Sequence, residues 1–202
     1  MRRYVATIVH ILGDRHDAKL LDIAAGTGWL RQLEFGSYHA LDITGDHERW
    51  DINTPLPDHH AGSYDVAVCL GALHFALDPR AALEQFARTL RPDGELVVGA
   101  PWLFPPHDRE IDLWRISPRL FWRLLDERFA SVDIYPIGTV LGIPGQILNR
   151  YVTGPFHGLD TATLRRASRM RTGPRWSAEA PEDIPLKWLG PVGMIAHARN
   201  RR

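Results

Sequence analysis

Asp22, Gly26, Gly28 and Asp42 are the residues whose types and spacing first suggest chemistry. They belong to, or follow, the run KLLDIAAGTGWL at residues 19 to 30, where an apolar stretch ends in an acid and opens onto paired glycines. A turn of small residues lets backbone N–H groups, and the chain itself, approach a ligand where any side chain larger than alanine would intervene. An acid about 20 residues further on, at the end of a second strand, is placed to accept hydrogen bonds from a ribose diol. Together they point to a nucleoside-bearing ligand. A pyrophosphate would want a third glycine and an uncluttered helix start, but Trp29 opens the segment that follows and Arg31 holds the third position.

These residues need rigid elements behind them. Strand signals recur at 19–24, 38–43, 64–70, 94–100, 130–135 and 191–198, most of them near-continuous apolar runs, as strands buried on both faces must be. A helix is expected after Gly28. Between two later strands, DPRAALEQFARTLRPDG reads as a helix capped by Asp78, with Pro79 in its first turn, Ala82, Leu83, Phe86 and Leu90 on one face, and Pro92 with Gly94 ending it. SPRLFWRLLDERF repeats the logic from Ser117 and Pro118. The alternation predicts an open, doubly wound α/β fold, a mostly parallel sheet covered by helices on both faces. Ligands of such sheets bind beyond the carboxyl ends of the strands, where strand order reverses. Residues 43–50 leave no room for a full crossover helix and 52–63 form a proline-rich loop, so loops flank one side of the cleft. The 202 residues suit a single domain, with 136–190 as a cap-like insertion before the last strand.

Composition narrows the class. Residues 1–101 carry 9 basic and 14 acidic side chains and residues 102–202 carry 15 and 10, a net −5 and +5 that cancel over the chain. A lone cysteine, Cys69, rules out an intrachain disulfide and makes the cytoplasm the default expectation. The opening MRRYVATIVHILGD is interrupted by Thr7 and His10 and reads as a short amphipathic helix rather than a signal peptide, and no segment reaches the roughly 20 apolar residues of a membrane span.

Dinucleotide sites and S-adenosylmethionine sites share the glycine turn and the distant acid, but only the latter, free of phosphate, can dispense with the third glycine. From DIAAGTG through LDI, DINTPLPDHHAGSYDVAV and ALHFALDPRAALEQFARTLRPDGELVVGAP to HDREIDLWRISPRLFWRLL, residues 19 to 137 resemble the class I S-adenosylmethionine-dependent methyltransferases. The last block is similar to a small subgroup with a His, then Asp-x-Trp-Arg-x-Ser/Thr-Pro. The resemblance implies a Rossmann-like, doubly wound sheet of seven strands, mostly parallel with an antiparallel last strand, in three α/β/α layers, with S-adenosyl-L-methionine as cofactor and S-adenosyl-L-homocysteine as product. It sets Asp22, Ala24, Gly26 and Gly28 at the methionine and ribose end, Asp42 on the ribose hydroxyls, and Ile43 against adenine. It also sets Asp51 and Ile52 at the adenine amine and the neighbouring backbone, and Leu70 and Gly71 along the sulfonium. Ala24 and Asp93 stand where the family most often has glycine.

The implied reaction is an in-line displacement, which needs alignment and exclusion of water more than acid–base help. Where the acceptor must lose a proton, His107, beyond the fifth strand, is the first candidate for a base and His74 the second. Trp102, Phe104 and Trp122 offer an aromatic wall or core packing. Asp112, Trp114 and Arg115 offer either a site for a substrate carboxylate or phosphate, or an ion pair that shapes the cleft. CLGALHF lacks the Asn/Asp-Pro-Pro-aromatic signature of enzymes that methylate base and amide nitrogens, so a small-molecule acceptor, methylated at oxygen ahead of nitrogen or carbon, is favoured over a nucleic acid. His59 and His60, with His39, His47 and Asp58 nearby, lack a recognised ligand spacing, so no metal is expected. Five arginines at 165–175 read as a solvated face, and uncovered apolar surface could take a second subunit as a homodimer. Two other readings stand beside the enzyme: a cofactor-binding partner protein without catalysis, and a nicotinamide-dependent oxidoreductase.

Overall fold

The apolar runs become strands, and period-2 alternation sends their side chains to two separate cores. In the computed structural model, which describes residues 2–103, 111–138, 176–177 and 193–200, β1 (Lys19–Ile23), β2 (Ser37–Asp42), β4 (Tyr64–Leu70), β5 (Leu90–Pro101), β6 (Ser131–Ile137) and β8 (Gly193–Arg199) carry the sheet. Two-residue strands β3 (Glu48–Arg49) and β7 (Trp176–Ser177) close its edges, giving the order β3-β2-β1-β4-β5-β8-β6-β7. Strands β1 to β5 run parallel, and β8 lies antiparallel between β5 and β6. Apart from β7, this is the expected seven-stranded, three-layer α/β sheet. Strand order reverses between β1 and β4, so their carboxyl ends open the crevice where such sheets bind ligands.

One face of the sheet packs Leu20, Val66, Val68, Val97 and Ile195 against Ile8, Ile11 and Leu12 of α1 (Arg2–Leu12), the amphipathic helix read in the opening residues. The other packs Leu21, Ile23, Val98 and Ala196 against α2 (Pro79–Thr89) and α3 (Pro118–Asp126). In α2 the Asp78 carboxylate accepts the N–H groups of Arg80 at 2.8 Å and Ala81 at 3.2 Å, and Pro79 needs no donor there. In α3, Ser117 caps the N–H of Leu120 at 3.3 Å. Phe86 of α2 meets the edge of Trp50 at 6.4 Å between ring centres, fully buried.

Local expectations are corrected at three places. The helix expected after Gly28 is a 3-10 turn, Trp29–Leu33, bracketed by left-handed residues Gly28 (φ 64°) and Glu34 (φ 55°). The chain must return at once to set Ser37 beside Ala18, and Gly36 passes so close that a Cβ would meet the His16 carbonyl at 2.7 Å. Second, α2 stops at Thr89 rather than near Pro92, because Leu90 already pairs with Tyr64 in the sheet and the N–H groups of Gly62 and Ser63 take up the carbonyls of Arg88 and Thr89. Third, the span read as an insertion before the last strand returns to the sheet at β7, which pairs antiparallel with β6. The rest of the expected cap, 139–175 and 178–190, and the arginine run lie outside the described residues. Among those described, no helix is long and apolar enough to cross a membrane.

Candidate active site

At the carboxyl end of β1 the chain enters a turn in which Ala24, Gly26 and Gly28 all have positive φ, at 56°, 56° and 64°. A Cβ at Gly28 would press on the Tyr38 hydroxyl at 3.2 Å and on the His47 ring at 3.3 Å. At Gly26, and at Gly71 (φ 85°) just beyond β4, no atom lies within 4 Å of where a Cβ would stand, so both backbones face open space. Ala24, in a conformation that costs any residue with a Cβ about 1 kcal/mol, occupies the place where glycine is commonest.

The two acids flanking this turn lie in different environments. Asp42 accepts the Gly26 N–H at 2.8 Å, the Thr44 N–H at 2.8 Å and the Thr44 hydroxyl at 2.9 Å. Burial alone would raise its pKa, but those donors and the nearby His47 outweigh burial and hold it below the ordinary aspartate value. It is an ionised carboxylate tying the ends of β1 and β2 together, and its two oxygens retain further acceptor capacity. Asp22 is deeper, accepting the Tyr38 hydroxyl at 2.6 Å, and burial pushes it up to about 7. The His47 Nε2–H donates to the Gly26 carbonyl at 3.1 Å and braces the turn from outside.

Beside Asp42, the Ile43 side chain is half exposed, an apolar surface offered to solvent at the mouth of the crevice. Asp51 is exposed, its carboxylate accepting the Asn53 N–H at 2.9 Å and its carbonyl the Thr54 N–H at 2.9 Å. Ile52 packs on the main core. Asn53 joins this loop to the segment between β4 and α2, accepting the Leu77 N–H at 2.7 Å. Leu70 and Gly71 close the other side of the crevice, so β1, β2 and β4 bring the expected cofactor residues to one end of the sheet.

The residues expected to meet an acceptor divide differently. His74 is buried in the 3-10 turn Leu73–Phe75, and its carbonyl accepts the N–H groups of Leu113 at 3.0 Å and Trp114 at 3.3 Å. The Trp114 indole N–H donates to the Ala76 carbonyl at 2.8 Å. Asp112 and Arg115 form a two-pronged ion pair, with Arg115 Nη2 to Asp112 Oδ2 at 2.8 Å and the Asp112 side chain fully buried. Residues 111–115 are thus tied to the segment that follows β4, and the Asp112–Arg115 ion pair is formed. Trp102 and Trp122 pack against the core of the α2 and α3 face. His107 and Phe104 lie outside the described residues.

Sequence reasoning passed over Tyr38, Thr44, Tyr4 and the bracing role of His47. Tyr38 carried a signal: it lies four residues before Asp42 in β2, hence on the same face. Tyr4 of α1 reaches Gly99 of β5, where a Cβ would lie 2.8 Å from its hydroxyl; burial, then the charges of Cys69 and Asp22, raise its phenol pKa. Burial likewise pushes the Cys69 thiol up to about 12, so it is core rather than nucleophile. A cleft of about 510 Å³ opens at the other end of the strands, between Arg15, Lys19, Asp65 and Arg91. Two ion pairs lie in its wall, Arg15 with Glu95 at 2.5 Å and Arg91 with Asp65 at 2.7 Å, and it lies at the opposite end of β1 from the glycine turn.

Solved structures share this architecture at low identity. The YcgJ protein of Bacillus subtilis aligns over 100% of both chains with a TM-score of 0.60 and 14% identity. A 1,6-didemethyltoxoflavin-N1-methyltransferase of Burkholderia thailandensis, solved with 1,6-didemethyltoxoflavin and S-adenosylhomocysteine, aligns over 100% of this chain and 78% of its own at 0.58 and 16%. A chain from the Haloferax volcanii complex of the Trm112 methyltransferase activator aligns over 99% and 91% at 0.58 and 16%. None of the curated proteins matches in sequence. The sequence profile described as "Methyltransferase domain" matches residues 1–130, which include the glycine turn, both acids and the crevice between β1 and β4, and the chain therefore belongs to that family of methyltransferases.

Proposed function

We propose that this chain methylates a small-molecule acceptor, at oxygen ahead of nitrogen or carbon, with S-adenosylmethionine as the methyl donor. The observation that carries the reading is the open backbone at Gly26 and Gly71, flanked by an ionised Asp42 and a buried Asp22. S-adenosylmethionine supplies an electrophilic methyl group on a sulfonium. Asp42 has acceptor capacity for the ribose hydroxyls, Ile43 an apolar face for adenine, Asp51 and Ile52 the adenine edge, and Leu70 with Gly71 the sulfonium flank. Asp22, at the methionine end beside Ala24 and Gly28, receives the amino group, and a cation there favours loss of the Asp22 proton. Trp102 and the segment holding Asp112, Trp114 and Arg115 wall the acceptor side, the ion pair fixing where Trp114 stands. His107 is the first candidate to take an acceptor proton and His74, close to β4, the second.

Calorimetry with S-adenosylhomocysteine and NADH tests the donor: micromolar binding of the first and none of the second is expected, and the reverse would make the chain an oxidoreductase. Turnover on a panel of small phenols, carboxylates and amines follows; binding without any turnover would favour a non-catalytic partner. His107→Ala should lower turnover by about 100-fold or more with cofactor affinity intact if His107 is the base. Unchanged turnover would remove it from that role.

A further inference from the structure

Away from the glycine turn, at the β3 edge of the sheet, three histidines surround one glutamate. His39 of β2 places Nε2 2.6 Å from Glu48 Oε2, and His60, from the 3-10 turn Asp58–His60, places Nε2 3.1 Å from Glu48 Oε1. The His59 Nε2 lies 3.3 Å from the same Oε1. One ligand atom each from His39, Glu48 and His60 lies within 4.8 Å of the others. A zinc ion with bonds near 2.0–2.1 Å holds its ligands about 3.4 Å apart, so modest side-chain rotation closes the cluster.

We propose that His39, Glu48 and His60 form a site for one divalent metal ion of the zinc class, solvent completing its coordination. Imidazole and carboxylate donors are those that borderline divalent ions prefer. Among the described residues no arginine or lysine pairs with Glu48; its partners are three rings that can each offer a lone pair. His60 is the fixed point: its side chain is 1% exposed and its Nδ1 lies 2.9 Å from the Tyr64 hydroxyl. That hydroxyl accepts as readily as it donates, so Nδ1–H can bond to Tyr64 and leave the Nε2 lone pair aimed at the cluster, the outer-shell arrangement of metal-bound histidine. His59 is 64% exposed and gives the ion a path from solvent. An ion here would fasten the two-residue β3 and the loop ending at His60 to β2. Sequence spacing gave no sign of it, because the acid comes from a strand too short to show periodicity and the ligands meet only across the sheet edge.

The test is Co²⁺ titration of the chelator-treated full chain, read by visible absorption of the ion. One Co²⁺ per chain with intense four-coordinate bands, displaced by Zn²⁺, is expected. Glu48→Gln and His39→Gln should weaken binding by more than about 100-fold, beyond the 10- to 100-fold typical of losing an outer-shell partner, which is the effect expected for Tyr64→Phe. His59→Gln, at an exposed ring that touches Glu48 without joining the three ligands, should keep the four-coordinate spectrum and weaken binding by no more than an outer-shell loss, and His16→Gln should change nothing. No binding by the wild type, or wild-type binding in His39→Gln or Glu48→Gln, overturns the site.

Discussion

Burial holds the Asp22 carboxyl up to about 7, where Tyr38 already donates to it at 2.6 Å. Because the folded pKa lies above the unfolded one, Asp22 supports stability below about pH 4 and that support is lost as pH rises towards 7. Asp22→Asn removes the charge and keeps an acceptor for Tyr38, so it should exceed the wild type in stability at pH 8 by about 2–4 kcal/mol, with the gap closing at pH 4, by urea unfolding. The same substitution should weaken S-adenosylhomocysteine binding by about 10- to 100-fold, because a charge-assisted hydrogen bond to the ligand's ammonium is lost. In the wild type, that affinity should rise with pH through about 7. Equal affinity in both proteins would take Asp22 out of the site.

At the scale of elements, the crevice depends on helices that hold the parallel strands from the far face. Asp78 at the start of α2 satisfies two otherwise orphaned N–H groups, and the helix it starts buries Ala82, Leu83 and Phe86. Asp78→Ala should cost about 1 kcal/mol, seen as a lower urea midpoint with an unchanged slope. Its carboxylate bonds to the first turn of α2 rather than to the residues of the glycine turn, so cofactor affinity should be unaffected. The short 3-10 turn after Gly28 is anchored by Leu30 in the core of the α1 face, with Trp29 and Leu33 packed against that core, while Tyr38 and His47 close on Gly28 at its start, so the glycine turn is held by side chains of β2 and the loop beyond it.

Over the whole molecule, Glu95 gathers distant parts of the chain. Arg15 before β1, His197 and Arg199 of β8 all meet its carboxylate, at 2.5, 2.9 and 3.2 Å. Burial would raise its pKa, but His197 and Arg15 more than offset this and hold it at about 2. A depressed folded pKa gives stability that is full above the unfolded value near 4.5 and lost as pH falls towards 2. Glu95→Gln should therefore be less stable than the wild type by about 2–3 kcal/mol at pH 7, a difference that shrinks below pH 4.5 in acid-unfolding curves. A constant difference across that range would mean the group acts through packing alone.

The sequence by itself determined the six longer strands, though not the two-residue edge strands β3 and β7, together with the caps of α2 and α3, the amphipathic α1 and the glycine turn, because periodicity, capping and turn chemistry are local and each residue carries its own signal. DIAAGTG and the acid at the end of β2 lie together at the carboxyl end of β1 and β2, beside the crevice where strand order reverses. Tertiary structure decided the rest. It shortened the segment after Gly28 to a 3-10 turn, drew Leu90 from helix into strand, tied Asp112 to Arg115, and set Asp22 and Asp42 in contrasting environments two strand ends apart. It also brought His39, Glu48 and His60 to one point. These outcomes depend on burial and on contacts between residues far apart in the chain, and neither a residue's type nor its spacing encodes what the fold will place beside it.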